Sequence, residues 1–142
     1  MDNTVYENPL ITRYASREMS ENFSDLKRFR LWKKLWIALA ESEMELGLNI
    51  TRAQIEDMKR HADDIDFEAA AKYEHELRHD VMAHVHAFGD QAASAAPIIH
   101  LGATSCFVDC NSELIIMYDA LNIIKEKLVN VMDKLRAFTL KY

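Results

Sequence analysis

The chain has 142 residues, 49% of them hydrophobic and 28% charged, enough for one soluble domain or one domain and part of a second. With 3 Gly and 2 Pro it lacks the turn formers of a many-stranded sandwich or barrel, and its Leu, Ala, Glu, Lys and Met favour an all-α fold. The net charge of −6, with no segregated basic block and no long apolar run, speaks against nucleic-acid and membrane partners.

In chain order, residues 1–23 show no clear period and read as an extended arm, and the polar start Met1-Asp2-Asn3-Thr4 is unlike a signal peptide. Ser24 can cap a helix to about Leu46, with Gly47 placed for the left-handed turn beyond it. Leu26, Phe29, Trp32 or Lys33, Trp36, Leu39 and Ala40 keep a 3–4 spacing, which buries one face. The cluster Lys27, Arg28, Arg30, Lys33 and Lys34 reads as a solvated helix face. Thr51 and Gln54 form a capping box for a short helix ending near His61. Asp64 or Asp66 starts a third helix, expected to run to about Phe88 and close at Gly89. Residues 89–103, with Pro97, read as a loop that delivers Thr104 or Ser105 to the start of a last helix.

That last helix carries a heptad. Leu114, Leu121, Leu128 and Leu135 recur every seven residues, and Met117, Ile124, Val131 and Phe138 recur three positions later. The pattern predicts an a/d seam in a helix about 55 Å long, more than a small domain covers, and self-association along it. No stop signal precedes Tyr142, so the chain is expected to be a fragment that ends inside a helix. Cys106 and Cys110, four residues apart, do not read as a disulfide framework, which points to a reducing, cytoplasmic setting.

Three segments could carry chemistry. Arg13-Tyr14 offers a forked cation, a ring and a hydroxyl suited to phosphate, although a surface Arg beside a packed Tyr is the commoner pattern. Arg78-His79-Asp80 lies inside the expected third helix, where three consecutive residues cannot share one face unless the helix bends. His75, His79, Met82 and His86 would form a stripe there, but no carboxylate or Cys completes a metal set; His84 points to the opposite side and reads as structural. In His100-Leu101-Gly102-Ala103-Thr104-Ser105 a Gly and two hydroxyl residues stand at a helix start, where backbone N–H groups and the helix dipole hold phosphate or carboxylate; a plain helix cap is equally compatible.

The wording of these segments resembles a known family. Arg13-Tyr14-Ala15-Ser16, Arg78-His79-Asp80-Val81-Met82-Ala83-His84-Val85 and Ile99-His100-Leu101-Gly102-Ala103-Thr104-Ser105-Cys106 are similar to the adenylosuccinate lyases of the fumarase/aspartase superfamily, in their animal-type branch. The resemblance covers nearly everything from Arg13 onward. It implies an amino-terminal helical domain at residues 1–104, with the arm at 1–23, and the truncated start of a central helical bundle at 105–142. It implies β-elimination of fumarate from adenylosuccinate, giving AMP, and from the succinylcarboxamide imidazole ribotide (SAICAR), giving the corresponding carboxamide (AICAR), in purine nucleotide biosynthesis. It implies no metal or organic cofactor, and a homotetramer with shared active sites. Carried over by position, Arg13 and Tyr14 hold the phosphate, and Arg78, His79 and Asp80 bind substrate. His79 supports catalysis by position and charge, and Thr104 and Ser105 hold the succinyl part or fumarate. The family's general-acid His and mobile-loop Ser base fall further along the family's chain, so these 142 residues alone are expected to be inactive. Two other readings compete: another superfamily lyase such as argininosuccinate lyase or fumarase, against which the Arg78–Val85 wording argues, and a helical interaction or oligomerisation module built on the heptad seam.

Overall fold

A computed structural model describes residues 7–142; the beginning of the expected arm, including Met1-Asp2-Asn3-Thr4, lies outside the described residues. Regular structure among the described residues is helical throughout. None of these helices is long and apolar enough to cross a membrane. Two compact units are distinguished, one of Asp25–Glu113 and one that pairs the described residues before Asp25 with Leu114–Tyr142.

In the larger unit, helix α2 (Asp25–Glu45) provides the core face through Trp32, Trp36, Ile37 and Ala40. Gly47 takes φ +91 just beyond it, a conformation that costs glycine nothing. Helix α3 (Arg52–Arg60) starts at the reciprocal Thr51–Gln54 capping box and contributes Ile55 and Met58. Helices α4 (Phe67–Leu77) and α5 (Asp80–Gln91) follow, the first capped by the Asp66 side chain on the Ala69 N–H at 2.9 Å. Val81, Val85 and Phe88 of α5 join the core, as do Ala92, Ala95, Ile98 and Ile99 of the following turns.

Two expectations are corrected here. The single helix from residue 64 or 66 to 88 is broken, because Arg78 adopts the left-handed conformation (φ 54, ψ 37) and His79 is extended. A His79 side chain that accepts from the Met82 N–H at 3.4 Å restarts the chain as α5, so a histidine acts as the cap and no Gly or Pro announces the break. Nor does Gly89 end a helix. It is buried inside α5, where a Cβ would come within 3.2 Å of Ala96 Cβ, so its missing side chain makes room for close packing.

Lys33 also departs from the solvated-face reading. It is 4% exposed, and its ammonium donates to the His61 carbonyl (3.0 Å), the Asp64 carbonyl and Gln91 Oε1 (2.5 Å each), above the Phe88 ring. The connection between α3 and α4 is thereby tied to α2 and α5. Burial lowers its pKa to about 8, opposed by the carboxylates of Asp64 and Asp66.

In the other unit, residues read as an extended arm are largely helical. Leu10–Tyr14 form one wide π-helical turn, and helix α1 (Arg17–Asn22) is capped by Ser16, whose hydroxyl accepts from the Met19 N–H at 3.3 Å. A six-residue helix is too short to show a period, and its stability comes from outside itself. Buried Asn22 donates to the Ile116 carbonyl at 2.9 Å, and Lys127 pairs with Glu18 at 3.1 Å. Helix α6 (Ser105–Lys141) begins in the larger unit and continues into this one, starting and running as its heptad predicts. Its seam residues are exposed, from Leu114 at 60% to Phe138 at 62%.

Candidate functional site

The break between α4 and α5 resolves the difficulty of three consecutive polar residues on one helix. Arg78 closes α4 in a left-handed turn, His79 caps α5, and Asp80 opens it, so the three side chains leave the backbone in different directions from one corner, all exposed. The Asp80 carboxylate accepts from the Val81 N–H at 2.8 Å and stands 3.6 Å from His79 Nδ1. Because His79 Nδ1 accepts the Met82 N–H, a neutral His79 carries its proton on Nε2.

The histidine stripe does not survive the break. His75 belongs to α4, where it borders a shallow depression with Arg78, while His86 belongs to α5 and stacks on Tyr73 at 5.2 Å. Among the described residues no group of three or more His, Cys, Asp or Glu is placed to hold a metal ion. His84 is buried against Phe29, with ring centroids 3.7 Å apart. Burial lowers its pKa to about 4, so it is a neutral core histidine at physiological pH.

The second part of the site is the loop before α6. Its backbone is left-handed at His100 (φ 66) and at Gly102 (φ 64), and it ends with Thr104 exposed and Ser105 half-buried in the first turn of α6. The Thr104 carbonyl accepts from the Phe107 N–H at 2.9 Å, so the helical path already starts at Thr104. A helix of 37 residues presents the positive end of its dipole at these two hydroxyls.

Electrostatics bring the corner and the loop together. His100 is held below the usual histidine range, first by burial and then by the neighbouring charge of His79, against the pull of Asp109. Asp109, one turn past Ser105, is raised by burial and by Asp80 and Glu113, and lowered by Arg28 and His79. His79 and Asp80 of the α4–α5 corner, His100 of the loop and Asp109 of α6 are therefore close enough to influence one another's charge. Asp109 went unnoticed in the sequence because one Asp among helix polar residues carries no signal. Its i, i+4 relation to Ser105 was the available clue.

Arg13 and Tyr14 belong to the other unit. They sit on the wide turn, Tyr14 72% exposed, with the guanidinium 5.7 Å from the Tyr14 ring centroid. Tyr14 also lines an apolar cleft of about 580 Å³ with Leu10, Ile11, Met19 and Phe23.

No family model matches the chain. It is 53% identical over 130 residues to an adenylosuccinate lyase of Schistosoma mansoni, an alignment covering 92% of this chain and 27% of that protein. It is 52% identical over 140 residues to the adenylosuccinate lyase of Saccharomyces cerevisiae (96% of this chain, 29% of that protein), and 30% identical over 127 residues to that of Synechocystis (89% and 29%). The chain spans less than a third of the length of these curated relatives. Helical in all its regular structure among the described residues, the chain is similar along nearly its whole length to the adenylosuccinate lyases of an animal, a fungus and a bacterium.

Proposed function

We propose that this chain is the part of an adenylosuccinate lyase that contributes one wall of the substrate site, in a protein that releases fumarate from adenylosuccinate and from SAICAR. The observation that carries this reading is the electrostatic coupling of His79, at the corner, to His100 in the loop that leads to Thr104 and Ser105, and of His79 and Asp80 to Asp109 one turn into α6. In the proposed roles, Thr104 and Ser105 hold the succinyl carboxylates or fumarate. Arg78, His79 and Asp80 bind substrate, with His79 supporting catalysis by position and charge. Arg13 and Tyr14 take the phosphate, for which a forked guanidinium and a phenol are suited.

The reading needs no metal or organic cofactor. It places the protein in the cytoplasm and divides it at residue 105, between an amino-terminal helical domain and the start of a helical bundle. The exposed heptad of α6 supports self-association, as a homotetramer in the full-length protein. It also favours the second reading, a helical interaction module, since an a/d seam needs only a partner helix. Neither reading involves nucleic acid or membrane. Titrating the isotope-labelled chain with fumarate and with AMP separates the two. Shifts at Thr104, Ser105 and His79 with fumarate support the lyase wall, while no shift with either ligand, alongside tight helix-mediated association, leaves the module.

A further inference from the structure

The loop before α6 rests on helix α2. Trp36 is 1% exposed, and its indole N–H donates to His100 Nδ1 at 2.9 Å, with the two rings nearly perpendicular (86°). A ring nitrogen that accepts a hydrogen bond has no proton of its own, so a neutral His100 in this contact bears its proton on Nε2. Protonating His100 would set two N–H groups against each other, so the Trp36 bond and a charged imidazole exclude one another. Of the neighbouring charges, His79 opposes protonation and Asp109 favours it.

The backbone at His100 is left-handed (φ 66), which costs a non-glycine residue about 1 kcal/mol. Gly102 repeats the conformation two residues on. Two turns along α2 from Trp36, Glu43 lies below Gly102, where a Cβ would stand 3.6 Å from Glu43 Oε1. Glu43 Oε2 is buried and makes no hydrogen bond among the described residues, whereas Trp36 supplies a directional contact from α2 to this loop.

We propose that Trp36 is a positioning residue: by donating to His100 Nδ1 it holds His100 as the Nε2-protonated tautomer in a left-handed backbone, and so fixes the path by which the loop presents Thr104 and Ser105. That those hydroxyls receive a carboxylate rests on the function proposed above; the positioning itself does not.

Imidazole and backbone ¹H–¹⁵N spectra of the labelled 142-residue chain at neutral pH test it. The expected result is one His100 tautomer with Nδ1 unprotonated and a Trp36 indole N–H protected from exchange. In Trp36→Phe, His100 should average between tautomers and titrate closer to the ordinary histidine range. The amides from Gly102 to Ser105 should shift, while those of α3 stay in place. A His100 proton on Nδ1 in the unaltered chain, or unmoved Gly102–Ser105 amides in W36F, would overturn the proposal. If W36F does not fold, His100→Asn and His100→Ala decide. Asn tolerates the left-handed backbone and offers Oδ1 to the indole, so H100N should keep the loop amides and the indole protection that H100A loses. Equal behaviour of the two variants also overturns it. Fumarate added to the same samples tests the carboxylate reading separately, since silence at Thr104 and Ser105 leaves the tautomer result standing.

Discussion

Arg78 occupies a backbone conformation that suits glycine, at the corner proposed above to bind substrate. Replacing it with glycine should raise stability by about 1 kcal/mol, read as a higher urea midpoint, because the left-handed strain disappears. If the corner binds anions, the same variant should lose fumarate-induced shifts. A stabilised protein with unchanged ligand response would count against the proposed role. His84 makes a prediction about acid. Its native pKa of about 4 lies below the unfolded value of 6.5, so between these limits the unfolded chain holds a proton that the native chain lacks. Stability should therefore fall as pH drops through 6.5 toward 4, by about 2 kcal/mol after solvent screening is allowed for, and stay flat in this respect above 6.5. Denaturant melts across that range should show a shallower slope in His84→Phe, which retains a ring against Phe29.

At the scale of elements, two contacts hold helices that are individually too short to persist. The Thr51–Gln54 box satisfies the start of α3, so Thr51→Ala should cost about 1 kcal/mol in a urea melt. Lys33 has more at stake. Truncation to Ala would leave the His61 and Asp64 carbonyls and Gln91 Oε1 without their shared donor, at a cost of about 3 kcal/mol. The loss should appear first as faster amide exchange in the 61–66 connection. Equal exchange there in the variant and the parent would show that the ammonium does not tie this connection down.

For the whole molecule, the apolar seam of α6 and the share of the relatives' length that the chain spans, less than a third, set the expectations. Sedimentation should show concentration-dependent self-association, and Leu121→Lys with Leu128→Lys should abolish it, because a charge at a seam position resists burial. Strictly monomeric behaviour of the unaltered chain at high concentration would remove the seam as an interface. The purified chain should also give no absorbance change with adenylosuccinate. On the proposed function its groups bind anions, while the resemblance puts the general acid and base, worth about 10²–10⁴-fold each, outside these 142 residues.

Much of this molecule was legible in its residues because the signals are local. The heptad from Leu114 to Phe138, the Thr51–Gln54 box and Gly47 each depend on side chains within a turn or two of one another, and each stands where its spacing placed it. The strings around Arg78 and Thr104 likewise carried the family by their wording. Tertiary structure decided what has no local cause. The break at Arg78 follows from a histidine cap and from core packing of α5, since its residues favour continuing the helix. Lys33 is buried because acceptors near positions 61, 64 and 91 converge on it, and a lysine in a basic cluster gives no hint of them. Helix α1 forms where no period exists, with Asn22 bonded to a carbonyl 94 positions away. The tautomer of His100 depends on Trp36, 64 positions earlier. Directional hydrogen bonds between distant segments leave no periodic trace, and it is these that shape the candidate site.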